Sequence, residues 1–215
     1  MIKLLTLLFL FSLCAIAHPE DFSPYVKIIS EDPKSTDYYS GSIIEETDKT
    51  FTVLTCWHGM DGMDKENTKT TINLMPLNSP NQFDIKPVSC YALFVKSEEQ
   101  RDLALFKIAK LPNVKIKSLT ISKNTAGAGE ELIAWGYVPT SNKVIRNTVI
   151  IKDYTSWTDK GVSFLATYGR SELGPSGGPL VKNNEVYGTL SFRDTGRGCV
   201  AFCPHNEILE FLESK

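Results

Sequence analysis

Gly174-Pro175-Ser176-Gly177-Gly178-Pro179-Leu180 sets one serine among three glycines and two prolines. Such a stretch makes a tight turn that exposes the serine, and the glycines let a carbonyl group approach the backbone closely. The N–H groups of Gly174 and Ser176 can converge on one oxyanion, while Pro175 between them has no N–H to offer. A serine hydroxyl needs a base. Three histidines are available. His18 lies near the chain start, and His205 opens a terminal segment. His58 follows the apolar run Phe51-Thr52-Val53-Leu54-Thr55-Cys56-Trp57, where a strand end gives way to a loop and an imidazole is fixed yet accessible. The base in turn needs a carboxylate to orient it. In Arg101-Asp102-Leu103-Ala104-Leu105-Phe106-Lys107-Ile108, Asp102 stands at the mouth of an apolar strand. An acid there is costly to bury unless paired, and a histidine Nδ1–H would satisfy it. Taken one at a time, these residues also fit an ordinary Gly/Pro loop, a structural histidine and an aspartate that caps a strand or pairs with Arg101.

The elements that must position these residues read as strands. Residues 41–45, 51–57, 70–75, 88–96, 103–108, 131–137, 144–154, 162–168, 179–182, 186–192 and 198–202 are rich in Val, Ile, Thr, Phe and Tyr. They are bounded by Gly, Pro, Asn and Asp. Asn183-Asn184 predicts a two-residue hairpin turn, since Asn tolerates positive φ, and Thr47-Asp48-Lys49 predicts another turn. Pro112, Asn113, Asn124 and Gly127 interrupt the pattern and predict a weak hinge between residues 111 and 128. Residues 18–37, with Pro19, Pro24 and Pro33, read either as a pro-segment or as a strand leading into the fold. Only residues 205–212 look helical, with Ile208, Leu209 and Leu212 on one face. The class is all-β, a sandwich or barrel with one terminal helix.

Composition narrows the function. The chain has 215 residues, 42% apolar and 22% charged, with a net charge of −2. These values are globular and carry no basic excess for a nucleic-acid partner. Residues 1–17 read as a secretory signal peptide: Lys3, the apolar run Leu4–Leu13, then Ala15-Ile16-Ala17 before the cleavage point. The expected mature chain is secreted or periplasmic, with no membrane span after cleavage, and monomeric. Its four cysteines, Cys56, Cys90, Cys199 and Cys203, predict up to two disulfide bonds, with buried free thiols as the alternative. A direct Cys199–Cys203 bond is awkward on one extended strand. Cys199, Cys203 and His205 match no common zinc spacing. Neither a metal nor a cofactor is expected.

Taken together and in the order His, Asp, Ser, the three motifs resemble the chymotrypsin/trypsin-like serine proteases of the PA clan, over roughly Tyr39 to Leu212. Thr55-Cys56-Trp57-His58 is similar to that superfamily's Thr-Ala-Ala-His segment, and Asp102-Leu103-Ala104-Leu105 to its Asp-Ile-Ala-Leu segment. Gly174-Pro175-Ser176-Gly177-Gly178-Pro179-Leu180 is similar to its Gly-Asp-Ser-Gly-Gly-Pro-Leu segment. The resemblance implies two packed six-stranded antiparallel Greek-key barrels, one over about 38–111 and one over about 128–203, with a helix over about 205–213 and the active site between the barrels. It also implies that Ser191 supports Asp102 by a hydrogen bond and that residues 191–193, including Phe192, pair with an extended substrate. Three departures stand out. Pro175 replaces the aspartate that accepts a freed N-terminus in animal digestive members, a feature shared with bacterial stress proteases. Gly59 replaces the cysteine that commonly follows the histidine, and Arg193 stands where a pocket-wall glycine is usual.

The resulting expectation is an exported serine endopeptidase with His58, Asp102 and Ser176 catalytic and Gly174 and Ser176 forming the oxyanion hole. Its partner would be a protein or peptide substrate. The alternative is an inactive homologue that binds peptides or surfaces. An α/β-hydrolase fits neither the motif order nor the strand-rich pattern. Arg170, six residues before Ser176, aligns with the base of the primary pocket. With Arg193 it predicts acceptance of Glu or Asp and exclusion of Lys and Arg. Pairing of Arg170 with Glu172, leaving an apolar pocket, is the alternative.

Overall fold

The computed structural model describes residues 20–63, 67–77, 87–138, 143–157, 162–168, 176–194 and 198–214. The expected signal peptide, His18, Arg170, Glu172, Gly174 and Pro175 lie outside them. In chain order the strands are β1 (Glu20–Phe22), β2 (Tyr25–Glu31), β3 (Thr36–Glu46), β4 (Thr50–Thr55), β5 (Lys69–Leu74), β6 (Val88–Glu98), β7 (Leu103–Ala109), β8 (Val114–Ile116) and β9 (Thr120–Ile121). They continue with β10 (Glu131–Tyr137), β11 (Val144–Trp157), β12 (Val162–Tyr168), β13 (Pro179–Lys182), β14 (Glu185–Asp194) and β15 (Cys199–Pro204), and end in a helix, α1 (His205–Glu213).

Two closed six-stranded antiparallel barrels result. The first has the order β2-β3-β4-β7-β6-β5, with β5 pairing back onto β2. The second has the order β10-β11-β12-β15-β14-β13, closed by β13 against β10. The winding is the same in both: three strands meander, and the next three lie back against them in reverse order. The expected Asn183-Asn184 turn joins β13 to β14 with φ of 53° and 64°. Thr47 closes the other expected turn, its Oγ1 accepting the Thr50 N–H at 3.0 Å.

Strand faces explain where the cores sit. Along β4 and β7 both faces are apolar because both are covered. Phe51, Val53, Ala104, Phe106 and Ile108 fill the first barrel. Leu54, Leu103 and Leu105 point the other way, into a core shared with Val186, Ile208 and Phe211 of the second half. Leu132, Val149, Leu165, Leu180, Val200 and Phe202 fill the second barrel.

Three expectations are corrected. β2 is a wall strand of the first barrel, hydrogen-bonded between β3 and β5, so that barrel starts upstream of residue 38. Residues 111–128 form no hinge. β8 pairs with β1, Leu119 donates its N–H to Ile43 O at 2.9 Å, and β9 pairs with β14, so the connection is tied to both barrels. Among the described residues the cysteines form no disulfide: Cys56, Cys90, Cys199 and Cys203 are all buried free thiols. Cys199 and Cys203 share β15, and four extended residues span about 13 Å, beyond a disulfide's reach of about 7 Å. Cys56 follows β4 while Cys90 lies on β6, and β7 separates those two strands.

No helix among the described residues is long and apolar enough to cross a membrane.

Candidate active site

β4 and β7 are antiparallel neighbours, so the C-terminal end of one lies beside the N-terminal end of the other. His58 follows β4 in a one-turn 3-10 helix, His58–Met60, and Asp102 immediately precedes β7. The register of one strand pair therefore brings together residues 44 apart in sequence. Asp102 sits at φ 52°, in the left-handed region that Asp enters more readily than most residues. Its N–H donates to Glu99 O at 3.1 Å, and its carbonyl accepts the Trp57 N–H at 3.2 Å.

The Asp102 carboxylate is fully employed. Oδ1 accepts the backbone N–H of Trp57 at 3.0 Å and of His58 at 2.8 Å. Oδ2 accepts His58 Nδ1–H at 2.8 Å and the Ser191 hydroxyl. A carboxylate only accepts, so Nδ1 carries the proton and Nε2 of the neutral ring presents a lone pair. Ser191 reaches Asp102 from the second barrel because of a bulge. Leu190 pairs with Phe202 and Phe192 with the adjacent Ala201, which leaves Ser191 as the extra residue.

The Ser176 turn is docked against the first barrel. Ser176 O accepts the Ser40 N–H at 2.8 Å, and Thr55 Oγ1 donates to Ser40 O at 2.6 Å. Gly177 has φ 85°, and a Cβ there would collide with Ser40 O and Thr55 Oγ1. The Gly177 N–H donates to Leu190 O at 2.8 Å, tying the same turn to β14.

Ser176, His58 and Asp102 line one cleft of about 510 Å³, together with Ser191, Phe192 and Arg193. Six of the residues singled out in the sequence thus converge, while Gly174 and Arg170 fall outside the described residues. His205 is buried in the first turn of α1, where desolvation lowers its pKa, and it does not line the cleft.

A family model for the trypsin-like peptidase domain matches residues 39–188. The chain belongs to the trypsin-like peptidase family. Serine-protease hydrolysis is the chemistry of that class. No curated protein matches the chain. Among solved structures, the trypsin-like peptidase resembles Deg5 at 16% identity and TM-score 0.66, over 87% of this chain and 86% of that one. It also resembles the active form of the Rv3671c protease from M. tuberculosis at 18% identity and TM-score 0.67, over 91% and 80%. The inactive form of that protease matches at 19% identity and TM-score 0.64, over 88% and 87%. At these identities the likeness is one of fold.

Two local features bear on how this peptidase departs from the sequence pattern of its relatives. Gly59 packs on the Tyr39 ring, and a Cβ there would lie 2.8 Å from it, so Tyr39 fills the space a cysteine would need. Cys56, for which the sequence suggested a disulfide or a buried free thiol but no part in the site, lies with Sγ 3.9 Å from His58 Nε2. Burial works to lower the His58 pKa, but the Asp102 hydrogen bond, the Cys56 sulfur and the Asp102 charge override it, and the net shift is upward from 6.5. Sequence reasoning also missed Asp61, Glu99, Gln100 and Phe164 on the cleft wall. Phe164 meets Phe192 edge to face with ring centroids 5.1 Å apart. Glu99 and Gln100 precede the Arg101–Ile108 motif in the turn between β6 and β7, so the motif does not mark them. Among the described residues no group of three or more His, Cys, Asp or Glu is arranged to hold a metal ion.

Proposed function

We propose that this peptidase is an exported serine endopeptidase, cleaved after Ala17 and working as a monomer in the periplasm or outside the cell. His58 Nε2 takes the Ser176 Oγ proton as Oγ attacks a peptide carbonyl carbon. The amides of Gly174 and Ser176 stabilise the tetrahedral oxyanion. His58 returns the proton to the leaving amine as the C–N bond breaks. Water, deprotonated by the same imidazole, then hydrolyses the acyl-enzyme. Asp102 stays ionised throughout, holding the tautomer and stabilising the imidazolium.

The observation that carries this reading is the 2.8 Å contact from His58 Nδ1 to Asp102 Oδ2 beside a cleft that Ser176 shares. The edge of β14 at Ser191–Arg193 suits an extended substrate added as a further strand. The Phe164–Phe192 pair and exposed Arg193 on the same wall fit a side chain with an aliphatic stem and a carboxylate end, in line with the Arg170 expectation.

A fluorophosphonate probe tests the nucleophile: wild type is labelled, and Ser176→Ala and His58→Ala are not. Labelling of Ser176→Ala would remove the assignment, and absence of labelling in wild type would favour a binding homologue. Peptide-library profiling tests the pocket. Cleavage after Phe, Leu or Val, unchanged by Arg170→Ala, would remove the acidic preference and leave the protease reading standing.

A further inference from the structure

Arg101 does not pair with Asp102, its neighbour in the chain. Its guanidinium reaches the other way, to the terminal helix. Nε donates to Glu207 Oε2 at 2.7 Å, Nη2 to Glu210 Oε2 at 2.6 Å, and Nη1 to Glu98 at the end of β6. Arg101 and Glu207 keep only 21% and 15% of their side-chain surface, so this fork is better shielded from screening than an ordinary surface pair. The helix it holds is anchored independently. Ile208 and Phe211 sit in the core shared between the barrels. Lys96 on β6 donates to carbonyls at the end of the helix and just past it: Phe211 O, Leu212 O at 3.4 Å and Ser214 O at 2.6 Å.

We infer that Arg101 is a positioning residue, clamping the Glu99–Asp102 turn to α1 so that the Asp102 carboxylate meets His58 Nδ1. The inference rests on the proposed roles of His58, Asp102 and Ser176. The physical case is that Asp102 sits at φ 52°, a backbone state held only when the surroundings over-determine it. The peptide joining Arg101 to Asp102 is fixed from two sides: the Arg101 fork reaches Glu98 of β6 and two carboxylates of α1, and the Trp57, His58 and Ser191 donors face the site. Without the fork, the turn keeps the β6–β7 ladder that pairs Glu98 with Leu103 and its bonds at the site, but loses its tie to α1, while Glu98, Glu207 and Glu210 repel one another. Displacement of a catalytic constellation by about 1 Å costs on the order of 10²-fold in rate. The helix of one half thereby sets the geometry of an acid on the other.

The test compares Arg101→Met, Arg101→Lys and Glu207→Gln with Lys96→Met, which weakens the same helix at its far end without touching the turn. The readouts are kcat and KM on a cleaved peptide, thermal unfolding, and the His58 pKa from NMR titration, which needs no turnover. The groups facing the imidazole and the fork, namely Asp102, Cys56, Asp61, Glu99, Arg193 and Cys203, are unchanged in every variant. Arg101→Met is expected to lower kcat about 10- to 100-fold with KM nearly constant, and to move the His58 pKa down toward 6.5 as the Asp102 bond loosens. Arg101→Lys should recover part of both effects, and Glu207→Gln should reproduce them in smaller measure. Lys96→Met should lower the melting temperature alone.

A His58 pKa that stays put or rises in Arg101→Met would overturn the inference, since losing a nearby cation without displacement can only push it up. Equal loss of kcat in Lys96→Met would overturn it too, by making helix stability the cause. If Arg101→Met fails to fold, Glu207→Gln decides on kcat alone, an unchanged kcat overturning the inference, because losing an anion lowers the His58 pKa with or without displacement. A wild type that neither hydrolyses peptides nor reacts with the fluorophosphonate would instead defeat the protease reading, and the titration would still report on the clamp.

Discussion

Replacing Asp102 with Asn separates the carboxylate's chemical role from its structural one. Asn keeps the shape and tolerates φ 52°. Its amide oxygen can take the Oδ1 place and keep the Trp57 and His58 N–H bonds. The NH₂ group then occupies the Oδ2 place, where it cannot accept from His58 Nδ1–H. The imidazole answers by moving its proton to Nε2 and accepting at Nδ1, which removes the lone pair that Ser176 needs. Stability suffers modestly. Ser191 Oγ can turn to accept from the amide, and trading charge-assisted for neutral bonds costs about 1–3 kcal/mol in all. The rate suffers far more, by about 10⁴ for a wrong-tautomer histidine of this kind, or about 5.4 kcal/mol at 1.36 kcal/mol per decade. The assay is kcat at saturating peptide, with thermal unfolding alongside. The pH profile adds a second sign: with the carboxylate gone, the raised His58 pKa falls back toward 6.5, so the acid limb of residual activity moves down. A kcat within tenfold of wild type, with the unfolding temperature reduced, would show Asp102 to be a strand cap and refute the reasoning.

Gly177→Ala should lower stability by about 2 kcal/mol or more from the positive φ alone, with activity lost beyond the unfolded fraction because the Ser176 turn must leave Ser40 and Thr55; thermal melts and kcat check both. The raised His58 pKa makes protonated His58 a stabiliser: its contribution is complete below pH 6.5 and is lost as pH rises through the folded value. The melting-temperature gap between wild type and His58→Gln should therefore shrink with rising pH, and a gap that widens would contradict the shift. Since Cys56, Cys90, Cys199 and Cys203 are free, a reducing agent should leave the melting temperature unchanged, and mass spectrometry of the chain cleaved after Ala17 should find four modified thiols after denaturing alkylation.

The reacting residues were legible because each sits in a short contiguous motif whose chemistry is local. Register did the rest: β4 and β7 carry unbroken apolar runs, and their antiparallel pairing sets His58 beside Asp102. β2 was ambiguous for a physical reason. Prolines flank it, and it buries Lys27 and Ser30 as well as Val26 and Ile28. Ser30 Oγ is satisfied by Tyr39 OH at 2.6 Å and Thr70 Oγ1 at 2.9 Å, a polar knot that no hydrophobic alternation reveals. β8 and β9 are three and two residues long, too short to leave a period. Ser191 came from family resemblance alone, because a bulge is a misfit between two strands and has no signature within one. The contact of Cys56 with His58 depends on how the chain turns after β4, and the Arg101 fork on where α1 returns.

The sequence carries no visible repeat, yet both barrels wind their six strands in one order, and the Ser176 turn is stitched across their seam. That arrangement has a kinetic consequence. Each barrel closes through pairings distant in sequence, which form slowly because loop closure precedes their reward. Domains of this size tend to fold as units before they dock. His58 and Asp102 belong to the first barrel, and Ser176 and Ser191 to the second. Secondary structure can therefore recover while the nucleophile turn still lacks its Ser40 partner. In refolding, the return of activity would time the docking of two finished barrels rather than the formation of either.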